Sequence, residues 1–209
     1  MSTPRGENIF SSGDFSGNME LDKKIKVFAH QERPFKTLCN IAKACFSMER
    51  NNLPITPRTN SLIIGPSGSG KTFLASAIAS ATGAEFLTVS ISEWVLMGCT
   101  SRGAPNTWPL IAQFLLKHKN ATGVVIFLDE LDKLSGTSTW EAFERTEIFK
   151  LLDLAVPNGL SDANDEAFSD DEYRRVREVL SSRTLIIGAG AFQDLWGRFD
   201  VLSGLEGPV

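Results

Sequence analysis

The residues Gly65-Pro66-Ser67-Gly68-Ser69-Gly70-Lys71-Thr72 combine three glycines, a lysine and a hydroxyl at the spacing G-x-x-x-x-G-K-T. Each type has a task if the ligand is a polyphosphate. Glycines let the backbone curl so that successive N–H groups converge on phosphate oxygens. A helix starting at the end of the octet brings its positive dipole end to the same anion. Lys71 reaches the β- and γ-phosphates as a point charge, and Thr72 offers its hydroxyl to Mg²⁺. All eight residues are therefore read as an ATP-Mg²⁺ site of the P-loop type. The alternative, a Gly/Ser linker beside a helix, fits the context less well, because an apolar strand pattern precedes the octet and a helical pattern follows it.

A second chemical feature closes the apolar run Val124-Val125-Ile126-Phe127-Leu128, which ends on Asp129 and Glu130. A carboxylate there lies at the C-terminal edge of a sheet, where open α/β folds bind ligands. Asp129 would share the Mg²⁺ shell with Thr72, and Glu130 would orient or deprotonate the attacking water. Glu130 and Lys71 are thus the catalytic candidates; Thr72 and Asp129 are the metal candidates. Taken alone, the acidic pair reads as strand-end polar residues. Many P-loop kinases have no acidic residue in Glu130's place, since their acceptor is a hydroxyl, so the pair favours hydrolysis.

These groups need a scaffold, and the apolar pattern supplies one. Phe35, Leu38, Ile41, Ala42, Cys45 and Phe46 recur at helical spacing within residues 34–50. Residues 51–60 read as a loop and residues 62–64 as a short buried strand running into Gly65. A helix follows over about 70–81, with Gly83 ending it. Residues 86–89 read as a second strand, and Thr107 as the cap of a helix carrying Leu110, Ile111, Phe114 and Leu115. The uninterrupted run 124–128 is the pattern of a central parallel strand buried on both faces. Helices are expected over roughly 140–155 and from a Ser169/Glu172 capping box through Leu180. A fourth strand spans 184–187. Strands alternating with helices predict an α/β fold, a mostly parallel sheet sandwiched by helices. The division expected is a flexible tail over 1–20, an N-terminal helix and linker over 21–60, and an ATPase core over 61–209.

Composition narrows the partners. The net charge is −4, so broad attraction to nucleic acid or an anionic membrane is not indicated. No apolar run approaches the ~20 residues of a transmembrane helix. The first 18 residues lack an apolar signal core. Cys39, Cys45 and Cys99 show no C-x-x-C pair, which fits small buried residues in a reducing compartment. A cytoplasmic location is expected.

The octet with its preceding strand, the segment VIFLDELDKL (125–134) and the segment LIIGAGAF (185–192) together resemble AAA+ ATPases, most closely the Clp/HslU branch that includes the ClpX unfoldase. The similarity covers about residues 36–196. It implies a ring, usually of six identical subunits, in which ATP hydrolysis pulls a protein substrate, sometimes brought by an adaptor, through a central pore. It also places a pore loop near residues 94–99 (WVLMGC), with Trp94, Val95 and Gly98 as the aromatic, aliphatic and glycine positions. Packing of Trp94 and Leu96 beneath a helix is the competing expectation. Two departures stand out. The chain stops at Val209, where the family's fifth strand, arginine finger and helical lid should follow, so the core is read as truncated. The sensor-1 position, Gly188-Ala189-Gly190, offers no polar side chain.

Other patterns are weaker. Arg198, in a GRFD stretch, lies too close to Gly190 for an arginine finger, and both it and Arg102 read as surface residues. Residues 162–166 resemble a calcium loop, but Ala167 replaces its glycine and Tyr173 its bidentate glutamate. His30 and His118 have no second ligand at metal-binding spacing. The reading is an ATPase that remodels proteins. Its rivals are a nucleotide-gated interaction module without efficient turnover, a P-loop kinase, and a DNA-loading AAA+ protein.

Overall fold

Alternation along the strand Val124–Asp129 organises the molecule. Its residues Val124, Ile126 and Leu128 face one apolar cluster, and Val125 and Phe127 face another. All five are fully buried, which only a strand covered on both faces can achieve. At ~1.5–3 kcal/mol per buried apolar side chain, this strand is a stiff platform for whatever its C-terminal end carries.

The computed structural model describes residues 25–47, 60–97, 105–135, 139–161 and 167–193. In chain order the elements are α1 (Glu32–Phe46), β1 (Ser61–Ile64), α2 (Lys71–Thr82), β2 (Glu85–Ser90), α3 (Thr107–Lys117), β3 (Val124–Asp129), α4 (Thr139–Leu152), α5 (Asp170–Arg183) and β4 (Thr184–Gly190). The four strands form one parallel sheet in the order β1-β4-β3-β2. Helices α1 and α2 cover one face through Phe35, Leu38, Ala42, Leu74 and Ile78, packed on Val125, Phe127, Leu185 and Ile187. Helices α3, α4 and α5 cover the other, through Trp108, Ile111, Ile148, Leu151, Val176 and Leu180. Residues 21–60, expected as a helix and linker ahead of the core, therefore include a helix built into that core.

Several expectations need correction. Residues 62–64 form a strand, yet Leu62 and Ile64 are 50% and 49% exposed. The reason is position: among the described residues β1 pairs only with β4, so it is an edge strand, and only Ile63 reaches the cluster beneath α1 and α2. Thr107 does not cap α3. Asn106 occupies the cap position, and Thr107 turns its hydroxyl to accept the Val95 N–H at 2.8 Å, while its own N–H donates to Val95 O at 3.0 Å. Helix α1 starts two residues before Pro34, which a first turn tolerates because it has no intrahelical donor bond to lose. The Ser169/Glu172 box is present as read: Ser169 Oγ accepts from Glu172 N, and Glu172 Oε2 accepts from Ser169 N at 2.8 Å. Cys39 and Cys45 are buried, and the Cys45 thiol donates to Thr184 O at 3.2 Å.

Candidate active site

Register brings the ends of four strands to one edge. Ile64 lies opposite Gly190, Leu128 opposite Gly188, and Ser90 opposite Asp129. The octet begins one residue beyond β1, where the Gly65 N–H donates to Gly190 O at 3.2 Å. Gly68 and Gly70 adopt φ of +79° and +78°, a left-handed conformation costing other L-residues about 1–2 kcal/mol. Gly70 is the N-cap of α2 and no side chain caps it, so the helix's first N–H groups are left for an anion. Lys71 Nζ donates to Gly65 O at 2.8 Å and to Pro66 O at 3.0 Å, folding back over the loop. A phosphate oxygen would offer this ammonium an opposite charge in place of a neutral carbonyl.

The metal candidates meet. Thr72 Oγ1 donates to Asp129 Oδ2 at 3.1 Å, across 57 residues of sequence. A hydroxyl and a carboxylate oxygen at that separation form the hard, partial ligand set that Mg²⁺ takes when phosphates and waters complete its shell. The residues present therefore fit ATP-Mg²⁺: the octet would hold the phosphates, and Thr72 with Asp129 the metal.

Glu130 sits in an unusual backbone state. Its φ is +60°, rare for a non-glycine residue and costly by about 1–3 kcal/mol. Three contacts hold it there. Its N–H donates to Asp129 Oδ1 at 2.9 Å, its carbonyl accepts from Lys133 N at 2.9 Å, and its Oε2 accepts from the Ser92 hydroxyl. The left-handed turn starts the 3-10 segment Leu131–Ser135, which lies directly over β4. That closeness explains the glycines of β4: a Cβ at Gly188 would come within 2.8 Å of Leu131 Cδ2, and one at Gly190 within 2.7 Å of Asp132 Oδ1. At Gly188 and Gly190, residues 131–135 fill the space a larger side chain would need, with Asp132 over Gly190.

Some participants were not visible in the sequence. Ser92 lies in the 3-10 turn Ile91–Glu93 just beyond β2, at the same sheet edge; its position after a parallel strand was the available signal. Gln31 and His30 reach the octet through Ser69. His30, expected as an ordinary surface residue, is exposed but stacks on Phe28 at 5.8 Å. His118 pairs with Glu85 at 3.4 Å on the surface. Tyr173, the mismatch in the calcium pattern, is structural: its hydroxyl accepts the Leu160 N–H.

Of the two expectations for Trp94, packing beneath a helix holds and the pore-loop position does not. Trp94 and Leu96 are 5% and 4% exposed and belong to the α3–α5 cluster. Trp94 Nε1 donates to Glu147 Oε2 at 2.9 Å, and Met97 N to Glu147 Oε1 at 2.9 Å. A buried, hydrogen-bonded indole is unavailable to grip a polypeptide. Gly98, Cys99, Arg102, Arg198 and residues 162–166 lie outside the described residues.

With this geometry, comparison with known proteins is decisive at the family level. The model for the ATPase family associated with various cellular activities (AAA) matches residues 61–194, more than half of the chain. The chain belongs to the AAA family. This AAA chain is 25% identical to a mitochondrial sorting homolog of Caenorhabditis elegans over 64% of its length and 38% of the relative's. It is 42% identical to the ATP-dependent zinc metalloprotease FtsH of Paraburkholderia phymatum over 39% of its length and 12% of the relative's. It is 28% identical to vacuolar protein sorting-associated protein 4 of Dictyostelium discoideum over 50% of its length and 22% of the relative's. The chain thus spans well under two thirds of each of these relatives. They support the AAA assignment and do not single out the Clp/HslU branch. Among the described residues no helix is long and apolar enough to cross a membrane.

Gly70→Ala tests the loop's backbone. The added Cβ would lie 2.8 Å from Gln31 Nε2 at a φ of +78°. The expected result is a loss of about 1–2 kcal/mol in unfolding free energy and at least about tenfold in Mg-ATP affinity. Denaturant unfolding and calorimetric titration check it; wild-type values in both would show that the loop does not need its left-handed residue.

Proposed function

We propose that this chain is the ATP-Mg²⁺-binding core of an AAA ATPase that hydrolyses ATP to remodel or unfold a protein partner. The observation that carries the reading is the 3.1 Å approach of Thr72 Oγ1 to Asp129 Oδ2, with Glu130 beside it at the end of the same strand. Lys71 would neutralise the β- and γ-phosphates, and Glu130 would accept the proton of the attacking water. A glutamate in that place suits water as acceptor, which favours hydrolysis over transfer to a hydroxyl. Protein partners are supported by relatives named as a mitochondrial sorting homolog, a vacuolar protein sorting-associated protein and a zinc metalloprotease. A homo-oligomeric ring and a cytoplasmic location belong to the same reading.

The test is steady-state phosphate release from Mg-ATP without any acceptor, repeated with an unfolded protein and with DNA. Release that rises with unfolded protein is expected. Phosphoryl transfer to an added hydroxyl compound, without release, would instead make the chain a kinase; stimulation by DNA alone would move it to the DNA-loading members of the family.

A further inference from the structure

The phosphate loop is held from outside by a side chain distant in sequence. Gln31 ends the 3-10 turn Ala29–Gln31 that leads into α1, and it is only 3% exposed. Its Nε2 donates to Ser69 O at 2.9 Å and to Gly70 O at 3.0 Å. Phe28 stacks on His30 and tilts against Phe73 of α2, closing the turn over the loop. The other end of the amide, Gln31 Oε1, is buried without a hydrogen-bond partner.

That orphaned oxygen is informative. A buried amide with an unpaired carbonyl is less stable than an apolar side chain of similar length, and methionine would fill the space without the penalty. What only the amide supplies is its pair of donors to the loop. Gly70 O also accepts the first helical bond, from Leu74 N at 2.9 Å, so α2 helps to hold that peptide. Ser69 O has no such helical donor among the described residues; it receives Gln31 Nε2 and, at 3.3 Å, His30 Nε2. In a trans peptide the carbonyl and the next N–H point in opposite directions. Drawing Ser69 O toward Gln31 therefore turns the Gly70 N–H away from Gln31, leaving it as one of the loop N–H groups that could receive an anion.

We infer that Gln31 is a positioning residue for phosphate binding, one that fixes the Ser69–Gly70 peptide in its anion-receiving orientation before nucleotide arrives. The inference rests on the reading of residues 65–72 as the phosphate site. Its test uses the full 209-residue chain. Gln31→Met removes both donors and the orphaned oxygen while keeping the side chain's length. The expected result is a melting temperature equal to or above wild type, with Mg-ATP and Mg-ADP affinities each reduced about five- to twentyfold by calorimetry. Amide hydrogen exchange of a peptide covering residues 67–72 should also quicken in the nucleotide-free chain. Gln31→Leu, differently shaped and equally without donors, should lose the same factor. Mg-ATP binding by Gln31→Met within twofold of wild type would overturn the inference. So would affinities of the two variants that follow their melting temperatures rather than agree with each other, since that pattern marks a packing role. Failure of the underlying reading looks different: the wild-type chain itself would not bind Mg-ATP.

Discussion

Replacing Lys71 by alanine should weaken Mg-ATP binding by about two to four orders of magnitude while leaving the fold intact. Each charge-assisted contact is worth ~1.5–3 kcal/mol, and a lysine at this place in the motif serves two phosphates; every 1.4 kcal/mol is about tenfold. The structure indicates why stability should survive. Lys71 is only partly buried, and its ammonium bonds to Gly65 O and Pro66 O, carbonyls that water can reach once the side chain is gone. Because the ammonium is partly exposed and water can replace it at both carbonyls, the cost to unfolding should be only about 1–2 kcal/mol. Lys71→Met, which keeps most of the stem, should behave like Lys71→Ala if charge is what matters. Calorimetric titration with Mg-ATP, alongside thermal unfolding, decides the matter. An unchanged dissociation constant in either variant would refute the assignment of the octet.

The parts of this molecule that were legible in the sequence are those whose signal is local. The run 124–128 had to be a strand buried on both faces, and its side chains do alternate between the two clusters. Ser169 and Glu172 spelled a capping box because both partners lie within one turn. The octet was readable as a pattern because its glycines, Lys71 and Thr72 are close in sequence, and its loop does turn left-handed at Gly68 and Gly70 before α2. Edge status was not readable. The three apolar residues 62–64 look like any interior strand, and only the sheet order shows that the far side of β1 has no partner among the described residues. Thr107 looked like a cap because its type and place were right. Its hydroxyl instead went to Val95 N, a donor contributed by a segment 12 residues away.

The same distinction separates what was found at the site from what was missed. Asp129 and Glu130 follow from one strand and its end. Ser92 and Gln31 touch the site only because β2 lies beside β3 and because α1 packs on α2, facts of register and topology that no local pattern contains. Trp94 was legible only as a choice between two readings, a pore loop or packing beneath a helix, and the structure takes the second. An aromatic residue after the second strand fits the family's pore loop by position, but the structure uses its indole N–H to bind Glu147 on α4. Position after a strand gives the edge of the sheet on which a residue falls; it does not give the direction in which the side chain leaves the backbone.

Glu130→Gln should separate binding from chemistry. Glutamine keeps the shape and can still accept the Ser92 hydroxyl, so the left-handed turn at φ +60° and the contacts of its backbone with Asp129 and Lys133 should persist. It cannot accept a proton from water. A positioned general base contributes ~10²–10⁴-fold in rate, and that is the loss expected in single-turnover hydrolysis. Mg-ATP affinity should remain within about threefold of wild type, because the groups proposed for phosphate and metal, Lys71, Thr72 and Asp129, are untouched; a change of that size is below ~1 kcal/mol. The variant should therefore retain bound ATP long after the wild-type chain has converted it. Ser92 provides the internal control. Its hydroxyl positions the Glu130 carboxylate without a proton to take from water, so Ser92→Ala combined with Glu130→Gln should be no slower than Glu130→Gln alone. A double variant slower by a further order of magnitude would show that Ser92 acts on the reaction independently of Glu130. Normal hydrolysis by Glu130→Gln would remove Glu130 from the role of base altogether, and would leave its strained backbone to be explained by the packing of residues 131–135 over β4.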